Sequence, residues 1–163
     1  MNEFNYTLTE NLELLFKTEL KIAEIIRNEG FRFSINKTTA DLGEYYAAKV
    51  LASRKDLFNF ITTETKYNST YDMLGRLSEC SVLFEYFNER NIRIEIKTRR
   101  NQEGVKYLGN VHPENFDLLC MADLAVNYQL NKIYLVTNKT VSQFLDKKYN
   151  RLIFRESMAF MTL

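Results

Sequence analysis

Long stretches of helical periodicity alternate along this chain with short apolar runs. Thr7 and Glu10 form a capping box. After it Leu12, Leu15, Phe16, Leu20, Ala23 and Ile26 recur at helical spacing until Asn28 and Gly30, which predicts a helix over 9–29. Phe31-Arg32-Phe33-Ser34-Ile35 alternates and predicts a short extended segment. Leu42, Tyr45, Tyr46, Ala48, Val50 and Leu51 give 39–53 the apolar side of a second helix, with Thr38 or Thr39 as its cap.

Beyond residue 56 the pattern changes to short runs. Leu57 to Thr65 is rich in β-branched and aromatic residues and predicts a strand. Residues 66–70 are polar and turn-like, and lead into the apolar start Tyr71-Asp72-Met73-Leu74. Ser81 to Phe87 and Ile92 to Thr98, separated by Asn88-Glu89-Arg90-Asn91, predict a β-hairpin. A polar loop over 101–115 contains Gly104, Gly109 and Pro113. Phe116–Leu124 and Lys132–Thr137 predict central strands, Val141–Lys148 a helix, and Leu152–Leu163 a last strand or a docked tail. The order predicts an α/β (α+β) sandwich on a mixed central β-sheet flanked by helices. With no linker or repeat, one domain is expected over 1–163: a helical extension (1–37), a core (38–140), and a C-terminal helix and tail (141–163).

Composition narrows the chemistry. The net charge is +1, so affinity for a polyanion must come from a local patch. Residues 90–106 are one candidate, with Arg90, Arg93, Lys97, Arg99, Arg100 and Lys106 against Glu95 and Glu103. Cys80 and Cys120 form no close-spaced motif and read as reduced thiols. The start lacks a basic segment followed by a long apolar run, and no run approaches the ~20 apolar residues of a membrane span. A cytoplasmic protein without membrane contact is expected. Five glycines include no G-x-G-x-x-G and no phosphate-binding loop. His112 is the only histidine, in a loop before Pro113; it reads as a solvated polar residue, with a role as a base left open. A single histidine and no Cys-x-x-Cys pair leave carboxylates to hold any metal, which selects hard cations such as Mg²⁺ or Mn²⁺.

Four acid-x-lysine triplets occur: Glu19/Lys21, Glu64/Lys66, Glu95/Lys97 and Asp146/Lys148. Residues i and i+2 do not face each other on a helix, which sets aside the first and last. Glu64/Lys66 falls at a ragged strand end. Glu95 and Lys97 lie within an alternating strand, on one face and roughly 7 Å apart along it, with Ile94 and Ile96 on the other. The pair reads either as a charged edge or as part of a site. Asp72 is either a turn aspartate or an acid at a buried strand start. Glu44, taken alone, reads as a partner of the helix dipole.

The ordered set resembles the PD-(D/E)xK, or restriction-endonuclease-like, nuclease superfamily. The resemblance runs over roughly 38–140. It is carried by Leu42-Gly43-Glu44-Tyr45-Tyr46-Ala47-Ala48, Asn68-Ser69-Thr70-Tyr71-Asp72, Ile94-Glu95-Ile96-Lys97-Thr98-Arg99-Arg100 and Phe116-Asp117-Leu118-Leu119. Tyr71 stands where the superfamily's name implies proline. The resemblance implies a restriction-endonuclease-like core and a Mg²⁺- or Mn²⁺-dependent endonuclease acting on DNA ahead of RNA. Asp72, Glu95 and the Ile96 carbonyl would hold one or two cations, and Glu44 would complete the site. Lys97 would orient and help deprotonate the attacking water. Crowded carboxylates imply that metal stabilises the fold.

Arg99 shares the face of Glu95 and Lys97, so it is expected to contact phosphate or to pair with Glu95. Lys66, Asn68, Arg76 and Lys106, with Arg100, are expected to track a nucleic-acid backbone. Asp117 reads as structural or supporting. Cutting both strands implies a homodimer, and restriction or anti-phage defence is the expected setting. The alternative is a non-catalytic nucleic-acid-binding or assembly module on the same fold.

Overall fold

The computed structural model describes residues 7–28, 36–63, 70–100 and 107–163. The extended segment expected at 31–35 lies outside them. Helix α1 spans Leu8–Asn28. Its capping box forms as expected, with the Thr7 N–H donating to Glu10 Oε2 at 2.7 Å and the Glu10 N–H donating to Thr7 Oγ1 at 3.3 Å. Helix α2 spans Asn36–Ser53, so Thr38 and Thr39 lie inside its first turns and do not cap it.

The strands are β1 (Phe58–Thr63), β2 (Met73–Leu77), β3 (Asn91–Arg100), β4 (Leu118–Leu124), β5 (Leu130–Thr137), β6 (Leu145–Asp146), β7 (Arg151–Leu152) and β8 (Met161–Thr162). Helix α3 covers Asn138–Phe144, three residues earlier at its start and four at its end than the expected 141–148, with Thr137 Oγ1 accepting the Thr140 N–H and Leu145–Asp146 extended. Six strands form one mixed sheet in the order β1-β2-β3-β4-β5-β8, in which β3 and β4 are parallel and the other neighbours antiparallel. β6 and β7 form a separate small hairpin. The fold class is therefore mixed α and β around a mixed sheet. Among the described residues no helix is long and apolar enough to cross a membrane.

One expected element is replaced. Residues 82–85 form a 3-10 turn instead of a strand, and β3 pairs with β2, so the hairpin is built from different strands. Ser81 Oγ accepts the Leu83 N–H at 3.2 Å, which starts the turn. Leu83 and Phe87 are buried while Val82 and Tyr86 are exposed. Burial at i and i+4 follows a helical turn, and the aromatic run conceals that spacing.

Alternation along β3 and β4 sorts their side chains into two layers. Ile94, Ile96, Leu118 and Cys120 pack with Ala47 and Leu51 of α2 on one face. Leu119 and Met121 pack on the other face with Val141 of α3 and with Leu152, Phe154 and Met158 from the C-terminal segment. β4 is buried along its whole length, as its apolar run requires for a central strand. Glu95, Lys97 and Arg99 stand on the second face, and α2 covers the first.

Candidate active site

The site begins where β2 leaves β3. Met73 pairs with Ile94, and the Asp72 N–H still donates to the Ile94 carbonyl at 3.0 Å. One rung later the β2 backbone has turned away and the Asp72 side chain takes its place, Oδ2 accepting the Ile96 N–H at 2.6 Å. In a strand the amide and carbonyl of one residue point to the same side. The Ile96 carbonyl therefore faces this opening and not β4.

Lys97 Nζ lies 2.6 Å from Glu95 Oε1, with these side chains 22% and 14% exposed. Burial raises the Asp72 carboxyl above its ordinary range, and neither the Ile96 amide nor the Lys97 charge cancels the shift. Glu95 is also raised, first by burial and further by the Asp72 charge, despite its ion pair with Lys97. The structure thus brings Asp72, Glu95, Lys97 and the Ile96 backbone together. The same burial and the Asp72 charge push the Cys120 thiol up to about 12, which leaves it neither nucleophile nor soft metal ligand.

Glu44 arrives differently. α2 meets β3 at Gly43, where an added Cβ would stand 1.8 Å from Thr98 Oγ1. Glycine allows that approach, and exposed Glu44 follows directly in sequence. Among the described residues no group of three or more His, Cys, Asp or Glu side chains is gathered to hold a metal. Glu44 therefore does not form a three-carboxylate cluster with Asp72 and Glu95.

The arginines are engaged within the fold. Arg99 pairs with Asp123 at 2.8 Å, not with Glu95, because the parallel register sets it beside Asp123. Arg100, expected on the nucleic-acid surface, is only 9% exposed and forms a bidentate pair with Glu19 of α1. Arg76 is exposed but lies at the far end of β2, about 13 Å along the strand from Asp72. It does not flank the site. Lys66, Asn68 and Lys106 lie outside the described residues. Asp117 accepts the Arg93 backbone N–H and binds its guanidinium, an interaction that holds the start of β4 beside β3.

His112 is the residue that sequence reasoning left aside. It lies close enough to Glu95 for an imidazolium there to lower the Glu95 carboxyl, the least of the influences on that group, and its Nδ1 lies 3.3 Å from Glu114 Oε1. In sequence it reads as a solvated loop residue, and only the packing of that loop, with Pro113 buried, brings it toward Glu95.

No family model matches this chain, and no curated protein matches its sequence. The chemistry of the donor set suits a small hard cation: two carboxylates whose charge one lysine leaves under-compensated, and a backbone carbonyl facing the same opening.

Proposed function

We propose that the protein is a metal-dependent endonuclease that hydrolyses phosphodiester bonds of DNA, built on a restriction-endonuclease-like core. One observation carries the reading: two carboxyls held above their ordinary range meet one lysine where a strand pair diverges. Structural ion pairs are usually arranged so that charges compensate, whereas under-compensated buried acids are commoner at functional sites.

Asp72, Glu95 and the Ile96 carbonyl would hold Mg²⁺ or Mn²⁺, with Glu44, carried on α2 next to the Gly43–Thr98 contact, as the residue that would extend the site. Bound there, the cation supplies charge stabilisation to the phosphate. The Asp72 carboxylate would keep its bond to the Ile96 N–H through Oδ2 and offer Oδ1 to the cation. The Lys97 ammonium, held beside Glu95, would orient the attacking water by donating to it, and would accept the water's proton only as the neutral amine, after a bound cation's charge has driven its own proton to solvent. DNA stands ahead of RNA as substrate, and a homodimer accounts for cleavage of both strands. Restriction or anti-phage defence fits such an activity.

The alternative is a non-catalytic nucleic-acid-binding or assembly module. Its assembly form is favoured by the engagement of Arg93, Arg99 and Arg100 with Asp117, Asp123 and Glu19, which withdraws those charges from a nucleic-acid backbone. A paired assay separates the two. With Mg²⁺ or Mn²⁺ the purified protein should nick plasmid, and Lys97→Ala should lower the rate by about 10²–10⁴-fold. Binding without nicking supports the module, and equal rates in the two proteins sink the assignment of Lys97.

A further inference from the structure

We infer that the β6–β7 hairpin and the segment beside it form a stacking platform for an unpaired nucleic-acid strand. Three aromatic side chains stand out from this region: Tyr107 (52% exposed), Tyr149 (53%) and Phe144 (53%). A soluble domain has little reason to hold out several rings together unless something covers them. Here cations are interleaved with them. The Arg151 guanidinium lies 5.9 Å from the Tyr107 ring centre and 5.1 Å from that of Tyr149, and Lys148 Nζ lies 5.0 Å from Tyr149. Lys147 is exposed beside them. Asp146 is the acid of the hairpin, and its Oδ1 is taken up by the Lys148 backbone N–H. Rings alternating with fixed positive charge match a polynucleotide whose bases are splayed: bases stack on tyrosine and guanidinium planes, and phosphates meet the lysines. A duplex hides its base faces and has no use for the tyrosines.

The platform is held rigidly. Leu108 and Leu152 exchange backbone hydrogen bonds at 2.8 and 2.9 Å, and the Val111 N–H donates to the Asn150 carbonyl at 3.1 Å. Leu108, Val111 and Leu152 are buried in the apolar layer that also contains Leu119, the β4 neighbour of Glu95. The platform therefore belongs to the same face of the sheet as Glu95 and Lys97. The residue after Val111 is His112, which lies within electrostatic reach of Glu95. A groove of about 510 Å³ lined by Pro113, Glu114, Asn138, Ser142, Lys147 and Asn150 continues from this loop to the hairpin turn. A strand lying along the groove would place one end on the tyrosines and the other toward Asp72, Glu95 and Lys97. This path rests on the nuclease reading above; the platform itself does not.

Binding is measured without metal, so that it is independent of cleavage. Fluorescence anisotropy compares a labelled oligothymidylate, the matching oligouridylate, a blunt duplex and polyglutamate. The intact protein should prefer the two single strands over the duplex and ignore polyglutamate. Tyr107→Ala with Tyr149→Ala should weaken single-strand binding about tenfold or more, while Tyr149→Phe retains it. Lys147→Ala with Lys148→Ala should flatten the slope of log affinity against log salt by about 0.7 for each phosphate that is no longer neutralised. All these positions are exposed, so circular dichroism should report unchanged folds. Equal affinity in the double tyrosine variant, or preference for duplex or polyglutamate, overturns the platform. Single-strand binding by a protein that never cuts overturns the nuclease reading and leaves the platform standing; cutting with unaltered binding in the tyrosine variants does the reverse. The two single strands against each other report whether the strand is DNA or RNA.

Discussion

Two groups of buried charge lie along β3, and they are built in opposite ways. At the C-terminal end, Arg100 meets Glu19 through two hydrogen bonds of 2.7 and 2.8 Å, and the Tyr128 hydroxyl donates to the same carboxylate at 2.6 Å. Burial raises the Glu19 carboxyl, but Arg100 and Tyr128 more than offset it and the group ends below its ordinary range. Near the middle, Asp72 and Glu95 share one lysine and both end above theirs. The first group is satisfied and fastens α1 to the sheet. The second keeps an electrostatic deficit where β2 and β3 part. Such a deficit disfavours the fold unless it serves something, and a cation or a proton in transit is what it can accept.

The two groups should differ most in what they contribute to stability. Arg100→Ala leaves the Glu19 charge buried without its main partner and should cost about 3–5 kcal/mol in thermal or urea unfolding. Loss under about 1 kcal/mol would show that α1 is held by something other than this pair.

At the other group the expected effect comes from addition. Mg²⁺ or Mn²⁺ at about a hundred times its Kd should stabilise the fold by about 2.7 kcal/mol, read as a rise in Tm. The rise should vanish in Asp72→Asn. An unchanged Tm at saturating metal would reduce Asp72 to a ladder cap for the Ile96 amide.

Gly43→Ala tests the approach of α2. The new Cβ would overlap Thr98 Oγ1, and Thr98 Cβ lies only 2.7 Å from it, so rotating the threonine gives no relief. Destabilisation of about 1–3 kcal/mol is expected. If Glu44 takes part in catalysis, nicking should fall further than the population of folded protein does.

The smallest effect has the most telling sign. Asp72→Asn retains an oxygen for the Ile96 N–H but removes the charge, so the metal-free variant should be more stable than the parent by about 1 kcal/mol near neutral pH. Glu19→Gln should go the other way. The pH dependence follows the same logic. Raised Asp72 and Glu95 destabilise increasingly as pH climbs from the ordinary carboxylate range through their raised values. Lowered Glu19 contributes fully above the ordinary glutamate range and loses its contribution as pH falls through its lowered value. Tm against pH should therefore decline on both sides of an optimum, and Asp72→Asn should soften only the alkaline side. A decline of equal slope in the variant removes Asp72 as its source.

Much of the local structure was legible along the chain, because its causes are local. The Thr7–Glu10 box, the alternation of Ile94 and Ile96 against Glu95 and Lys97, and the unbroken apolar run of β4 each announce their element within a few residues. Residues 81–87 misled because their aromatic run fits either periodicity, and the serine cap at Ser81 tipped it into a 3-10 turn. The acid-x-lysine pair could be placed on one face from periodicity alone. The fates of the arginines could not be read there. Whether Arg99 meets Asp123 depends on the parallel register of β3 and β4, and whether Arg100 is buried depends on the docking of a helix that ends more than sixty residues earlier. His112 and the Tyr107–Arg151–Tyr149 row share that dependence, since each is assembled from segments distant in sequence.

Steric periodicity acts over neighbouring residues, so the order of amino acids was enough to set which stretches become helix or strand and which residues of β3 share a face. Which charges are compensated was settled only when the elements packed. Charge compensation is a matter of distance and dielectric across the fold, and here it separated a fastened Glu19 from an under-partnered Asp72 and Glu95 on the same strand's flanks.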